Sequence, residues 1–352
     1  MKSSLLLHPL IQLFLTRFRE FIRTPEAVFW SYVFPLVMMI ALGLAFRSEP
    51  VRAVAVTIQE GTGAADAEAA LKKDPVFLIS KGTEAECRQR LRSGKTELVV
   101  TAVQNGEALS WKFLYDPTRP GSVSARDSVN DALQRAAGRV DLVTTEDVTV
   151  IEPGSRYIDF LVPGLIGMGL LGGGIWGVGY AIVDMRIRQV LKRFLGTPMK
   201  KHHFVAAMMA SRIVFMIPEI IVILILAKLM FGVTSHGGYA SIAAIVILGA
   251  MEFASIGLLI ASRARTLEAV AGLMNLAMVP MWIGSGIFFS SERFPEIVQP
   301  VIRILPLTPV IASLRQVMQE GAGVLQIAPD LALMFAWAVG TFLIALRIFR
   351  WD

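Results

Sequence analysis

The chain has 352 residues, of which 54% are hydrophobic and 18% charged, and its mean hydropathy is +0.59. A soluble domain carries about 25% charged residues, so this chain has too few to wet an ordinary surface. The formal net charge of +6 does not point to nucleic acid, because most basic residues flank apolar runs, where they orient a membrane protein.

Residues 1–25 set apolar clusters (Leu5, Leu6, Leu7, Leu10, Ile11, Phe14, Leu15, Phe18) beside Arg17, Arg19, Glu20 and Arg23. At helical spacing this gives one apolar and one basic face, the pattern of a helix lying in the cytoplasmic membrane interface. It lacks an apolar core followed by a small-residue cleavage site, so it does not read as a secretory signal. Residues 27–46 are free of charge and long enough to span, and Arg47 and Glu49 close them.

Residues 47–157 change character. Residues 51–58, 98–103 and 109–115 alternate like strands, and residues 64–73 and 84–92 read as amphipathic helices. A third helix is predicted over 126–140, with Val129, Leu133 and Val140 on one side. Elements that each have a face to bury make an α+β domain rather than a linker. Cys87 is the only cysteine, so no disulfide can form within the chain, and a domain of this size can rest on its own core.

Residues 158–183 form the second predicted span. Gly164, Gly167, Gly169, Gly172, Gly173, Gly174, Gly177 and Gly179 give it small-xxx-small spacing, which in lipid lets neighbouring backbones approach closely. Further spans are predicted over 204–231, 239–262, 267–291 and 328–349. The apolar part of the last, 331–346, is short, so Asp330 and Arg347 are expected to snorkel to the interfaces. Residues 294–321 are broken by Pro295, Pro300, Pro306 and Pro309, which suits short interfacial or re-entrant helices better than one span. The expected fold is thus an α-helical polytopic membrane protein with six transmembrane helices and an inserted α+β extracytoplasmic domain.

Lysine and arginine set the expected orientation. Residues 184–203 hold Arg186, Arg188, Lys192, Arg193, Lys200 and Lys201; the fourth-to-fifth turn has Arg263 and Arg265; the tail has Arg347 and Arg350. The short loop on the other side, 232–238, has none. By the positive-inside rule both termini are cytoplasmic, in a cell inner (plasma) membrane, and the insert is periplasmic or extracellular.

Gly94-Lys95-Thr96 imitates the end of a phosphate-binding loop, but Gln89 stands where a glycine is needed and a helix, not a strand, precedes it. His202 and His203 are adjacent and lack zinc-binding spacing, and no nucleophile elbow is present, so neither a catalytic residue nor a metal or cofactor bound by this chain is expected. Two acids, Glu219 and Glu252, fall near mid-span, where a charge costs a few kcal/mol and must face the bundle or water. They read either as polar points on a translocation route, including a proton-coupling site, or as groups satisfied by Arg212, serine or backbone.

Three stretches resemble those of ABC-2 type permeases, the membrane subunits of ABC exporters. Arg188-Gln-Val-Leu191-Lys192-Arg193-Phe194-Leu195-Gly-Thr197-Pro198 is similar to the family's cytoplasmic segment between the second and third spans. Leu305-Pro306-Leu-Thr308-Pro with Leu314-Arg315 is similar to its motif before the last span, and Tyr115-Asp116-Pro117-Thr118 to the end of its external domain. Where the family has an acidic, glycine-containing run before the cytoplasmic segment, this chain reads Asp184-Met-Arg-Ile-Arg-Gln189.

The resemblance implies an ABC-2 type exporter fold in which residues 187–195 form a coupling helix and 294–321 form re-entrant external helices. It implies two ABC ATP-binding subunits as partners, with ATP and Mg on them rather than on this chain, and a second permease copy. Membrane lipid is expected around the spans, and the insert is expected either to hand cargo to a periplasmic adaptor or only to shield the exit. The apolar spans suit a hydrophobic or amphipathic cargo. The alternative is a proton-coupled secondary carrier using Glu219 and Glu252, although the two halves show no inverted repeat. A ligand sensor would need a cytoplasmic output domain, and none is seen.

Overall fold

The computed structural model describes residues 9–46, 53–105, 108–140, 156–196 and 201–349. It divides into two units, one made of residues 1–48 with 151–352 and the other of residues 49–150. The first unit opens with helix α1 (Pro9–Arg23). The Phe21 ring of α1 stacks on Phe215 at 4.5 Å, so its apolar side already has a partner in the bundle. Helix α2, residues 25–45, follows; Pro25 sits in its first turn, where the missing N–H costs nothing. It contains a π-helical turn, Phe29–Val33, and its apolar part, Phe29–Ala45, is shorter than the helices long enough to cross a membrane.

The second unit is a four-stranded sheet with helices. Its elements are β1 (Val54–Gln59), α3 (Ala64–Leu71), β2 (Phe77–Gly82), α4 (Glu84–Arg92), β3 (Leu98–Asn105), β4 (Ala108–Tyr115) and α5 (Pro120–Ala136). The strand order is β2-β1-β3-β4; β1 runs parallel to β2 and β3, and β4 closes antiparallel on β3. Val56, Ile58, Leu98 and Val100 on one sheet face pack with Ala67 and Leu71 of α3 and with Ala125, Val129 and Leu133 of α5.

Three sequence expectations change in this unit. Strand β2 was not predicted: it lies at the sheet edge, and exposed Leu78 and Lys81 break the apolar run. Helix α5 begins at Pro120, earlier than 126, because Pro120 presets the first turn. It ends at Ala136, before Gly138 at φ 94°, so Val140 lies beyond the helix and is exposed rather than on its buried side. Residues 51–52 of the first predicted strand and residues 141–150 lie outside the described residues.

The first unit resumes with the long helix α6 (Tyr157–Ile187), which carries a second π-helical turn at Ile175–Tyr180. Short α7 (Val190–Leu195) and then α8 (Lys201–Phe231), α9 (Tyr239–Ala261) and α10 (Leu267–Gly284) follow. Helix α10 stops at Gly284, well short of the predicted 291, because the chain turns through Gly286 at φ 82°. Helices α11 (Gln299–Ile304) and α12 (Leu307–Glu320) come next, with an 88° bend between their segments, and α13 (Ala328–Ile348) ends the unit.

Among the described residues, five helices (α6, α8, α9, α10 and α13) are long and apolar enough to cross a membrane, or six if the bent pair counts as one span. Helices α6 and α9 are the most enclosed and form the centre, whereas α8, α10 and α13 turn most of their apolar surface outward, as lipid-facing helices do. The α6–α9 contact depends on glycine: a Cβ on Gly257 would stand 2.9 Å from the carbonyl oxygens of Gly174 and Ile175. That is the close backbone approach predicted from the glycine spacing. The molecule is therefore an α-helical polytopic membrane protein with an inserted α+β unit.

Candidate functional site

The segment predicted as one helix over 187–195 is instead a corner. Helix α6 runs on to Ile187, Arg188 closes its last turn through its N–H to Asp184 O at 3.0 Å, and Gln189 takes φ 56°. Helix α7 then starts on a new axis. The physical reason is Leu191, which is fully buried in the bundle core; one straight helix would not also return it there. With Leu191 inside, Lys192 and Arg193 are left exposed on the other side of α7. Arg188 is exposed and donates from Nε to Asp184 Oδ1 at 2.9 Å. Phe194 and Leu195 lie within α7, and Thr197 and Pro198 fall outside the described residues.

Arg186, which the spacing did not single out, holds this corner to the neighbouring helix ends. Its Nη1 donates to Ala261 O at 2.7 Å and Ala264 O at 2.6 Å, and its Nη2 to Ser262 O at 3.3 Å. These are the last carbonyls of α9 and its following turn, which have no intrahelical donor and carry the negative end of the helix dipole. The same guanidinium lies 5.5 Å from the Phe349 ring, just past α13.

The two mid-span acids occupy different settings and are not linked to each other by an ion pair or hydrogen bond among the described residues. Glu219, next to Pro218 on α8, pairs with Arg212 two turns earlier on the same helix side, at 3.5 Å between Oε2 and Nη2; both side chains are almost wholly buried. Space for this pair comes from α6. A Cβ on Gly169 would overlap the Glu219 carboxylate, and one on Gly173 the Arg212 guanidinium. Tyr32, in the π-turn of α2, donates to Phe215 O at 2.8 Å and borders the same pair. Glu252, on α9, is fully buried, and neither carboxylate oxygen has a hydrogen-bond partner among the described residues.

Around the bend, Leu305 packs against the core, Pro306 is buried, and the Thr308 hydroxyl donates to Ile302 O at 2.6 Å and pairs with the Ser285 hydroxyl at 3.0 Å. Arg315 lies over the Phe160 ring at 3.6 Å and donates to Gly286 O. The Trp337 indole of α13 donates to Ile304 O at 2.9 Å. The bent pair is thus pinned at both arms. In the other unit, Gly94 at φ 69° makes a turn, and the Thr96 hydroxyl donates to Ala55 O and Leu98 O, so that segment is a strand entry rather than a phosphate cradle. Among the described residues no cluster of three or more His, Cys, Asp or Glu side chains could hold a metal ion.

A family model described as ABC-2 family transporter protein matches residues 26–347. The chain belongs to this family. It is similar to the linearmycin resistance permease protein LnrN of Bacillus subtilis, with 25% identity over 49% of this chain and 45% of that one. It is also similar to the inner membrane transport permease YhhJ of Escherichia coli, with 24% identity over 49% of this chain and 46% of that one. The matches span about half the length of these curated relatives. Family membership and the set of apolar helices make this a multi-pass membrane protein of the ABC transporter class.

Proposed function

We propose that this chain is the membrane subunit of an ATP-driven exporter, and that α7 is the surface on which a separate ATP-binding subunit pushes. The observation that carries this reading is the corner itself. A helix that must transmit force needs one side anchored and the other free, and α7 has Leu191 in the core and Lys192 and Arg193 exposed. Two ATP-binding subunits would supply ATP and Mg, and a second copy of this chain, or a similar one, would complete the membrane pathway. The lysine and arginine bias supports cytoplasmic termini and an extracytoplasmic 49–150 unit, where a periplasmic adaptor would dock.

A hydrophobic or amphipathic cargo suits the apolar spans, and one similar permease bears a resistance name. The proton-coupled alternative loses ground because Glu219 is already bound to a buried arginine, and of these two acids Glu252 alone lacks a hydrogen-bond partner among the described residues. Reconstitution with the ATP-binding subunit into vesicles tests the reading. Movement of an amphipathic dye that needs ATP and persists when the proton gradient is collapsed supports it. Dye movement that survives ATP removal and stops on gradient collapse overturns it.

A further inference from the structure

The coupling reading of α7 leaves open how displacement of a six-residue surface helix reaches the centre of the bundle. Helix α7 is separated from α6 by only Arg188 and Gln189, the latter in a left-handed conformation, so a push on α7 bears directly on the last turn of α6. Arg186 is in that turn. Its guanidinium donates to three backbone carbonyls at the end of α9 and lies beside Phe349, past the end of α13.

Backbone carbonyls are part of the helix framework, so a side chain that grips three of them moves the helix end rather than another flexible side chain. The planar fork of arginine can reach several carbonyls at once in a fixed orientation, whereas a lysine ammonium is a point charge on a flexible stem. The positive charge also complements the carboxyl-terminal end of α9. Helix α9, in turn, is one of the two most enclosed helices, carries buried Glu252, and meets α6 through the Gly174–Gly257 close contact. One residue therefore joins the α7 corner to the central helix.

We propose that Arg186 is a positioning residue for transport: it carries displacement of α7 to the end of α9, and so makes α9 respond to the nucleotide state of the ATP-binding subunit. This rests on the reading of α7 as the ATPase-facing helix. It differs from a mere topology anchor, because a charge that only marks the cytoplasmic side has no reason to bind α9.

The test is hydrogen–deuterium exchange on the permease–ATPase complex in lipid nanodiscs, without nucleotide and after trapping with ATP and vanadate. In the wild-type complex, exchange over residues 188–196 and 259–268 is expected to change together. In Arg186→Ala, the change over 188–196 is expected to remain while that over 259–268 falls at least about fivefold, the lower end of ordinary coupling between sites. Arg186→Lys, which keeps the charge, is expected to fall between them. An Arg186→Ala complex whose 259–268 segment responds as in wild type overturns the inference. So does a wild-type complex in which 188–196 responds and 259–268 does not, a result that needs no variant to fold. If 188–196 itself fails to respond in wild type, the coupling reading of α7 fails first and takes this inference with it.

Discussion

Replacing Glu219 by leucine strands the Arg212 guanidinium in the bundle without a counter-charge. Arg212 and Glu219 are 4% and 2% exposed, so water does not relieve the loss, and removing one partner of a buried pair costs about 3–5 kcal/mol. The pair makes a single 3.5 Å contact rather than a bidentate one, so its own attraction is modest. Exchanging both partners for apolar residues of similar volume is then near neutral.

The Arg212–Glu219 pair therefore lends itself to a double-mutant cycle. Glu219→Leu should lower the thermal unfolding midpoint of the purified chain by roughly 10 °C, taking about 2–4 °C per kcal/mol for a large domain. Arg212→Met with Glu219→Leu should return to within about 3 °C of wild type. Differential scanning fluorimetry in one detergent, at matched purity, is sufficient. If the two single losses simply add in the double variant, or if Glu219→Leu leaves the midpoint unchanged, the pair is not the coupled buried unit described here.

Other parts of the structure make their own demands. Leu133→Ala removes a fully enclosed side chain from the core of the α+β unit and should cost about 2–5 kcal/mol, read as faster hydrogen exchange across α5 with α9 unchanged. Hydrogen bonds from Lys72 and Lys81 pull the Glu68 carboxyl down to about 2. A depressed carboxylate stabilises the folded state above its ordinary value of 4.5 and loses that contribution as pH falls toward 2. Exchange over β1 and β2 in Glu68→Gln should therefore exceed wild type at pH 6, converge with it near pH 2, and differ less in high salt, because the pair is exposed. Burial raises the Cys87 thiol above its usual range, so a maleimide should leave it unlabelled at pH 7 in the folded protein and label it fully in urea.

Much of this architecture was legible in the sequence where one physical signal dominated. Apolar runs located α6, α8, α9 and α13, and alternation found β1, β3 and β4, because each of those patterns follows from which face is buried. The glycines of α6 announced close packing, but not that Gly169 and Gly173 make room for charged groups. Arg212 was a possible partner for Glu219 from spacing alone, since seven residues bring the two to one side of a helix. Neither π-turn left a mark in the sequence, nor did the left-handed Gln189, which the burial of Leu191 imposes from outside the segment. Arg186 read as one more basic residue in a basic loop. The α9-end carbonyls it binds are 75 or more residues away, and no local pattern records those.

The claim that α7 is the ATPase-facing surface is tested most directly by affinity purification of the tagged chain from solubilised membranes. Wild type should bring with it an ABC ATP-binding subunit, and Lys192→Glu with Arg193→Glu, which leaves Leu191 in the core, should lower that recovery at least about tenfold, as loss of about 1.4 kcal/mol or more of binding would. Equal recovery with the double charge reversal, from a chain that is folded and membrane-inserted, would contradict the account.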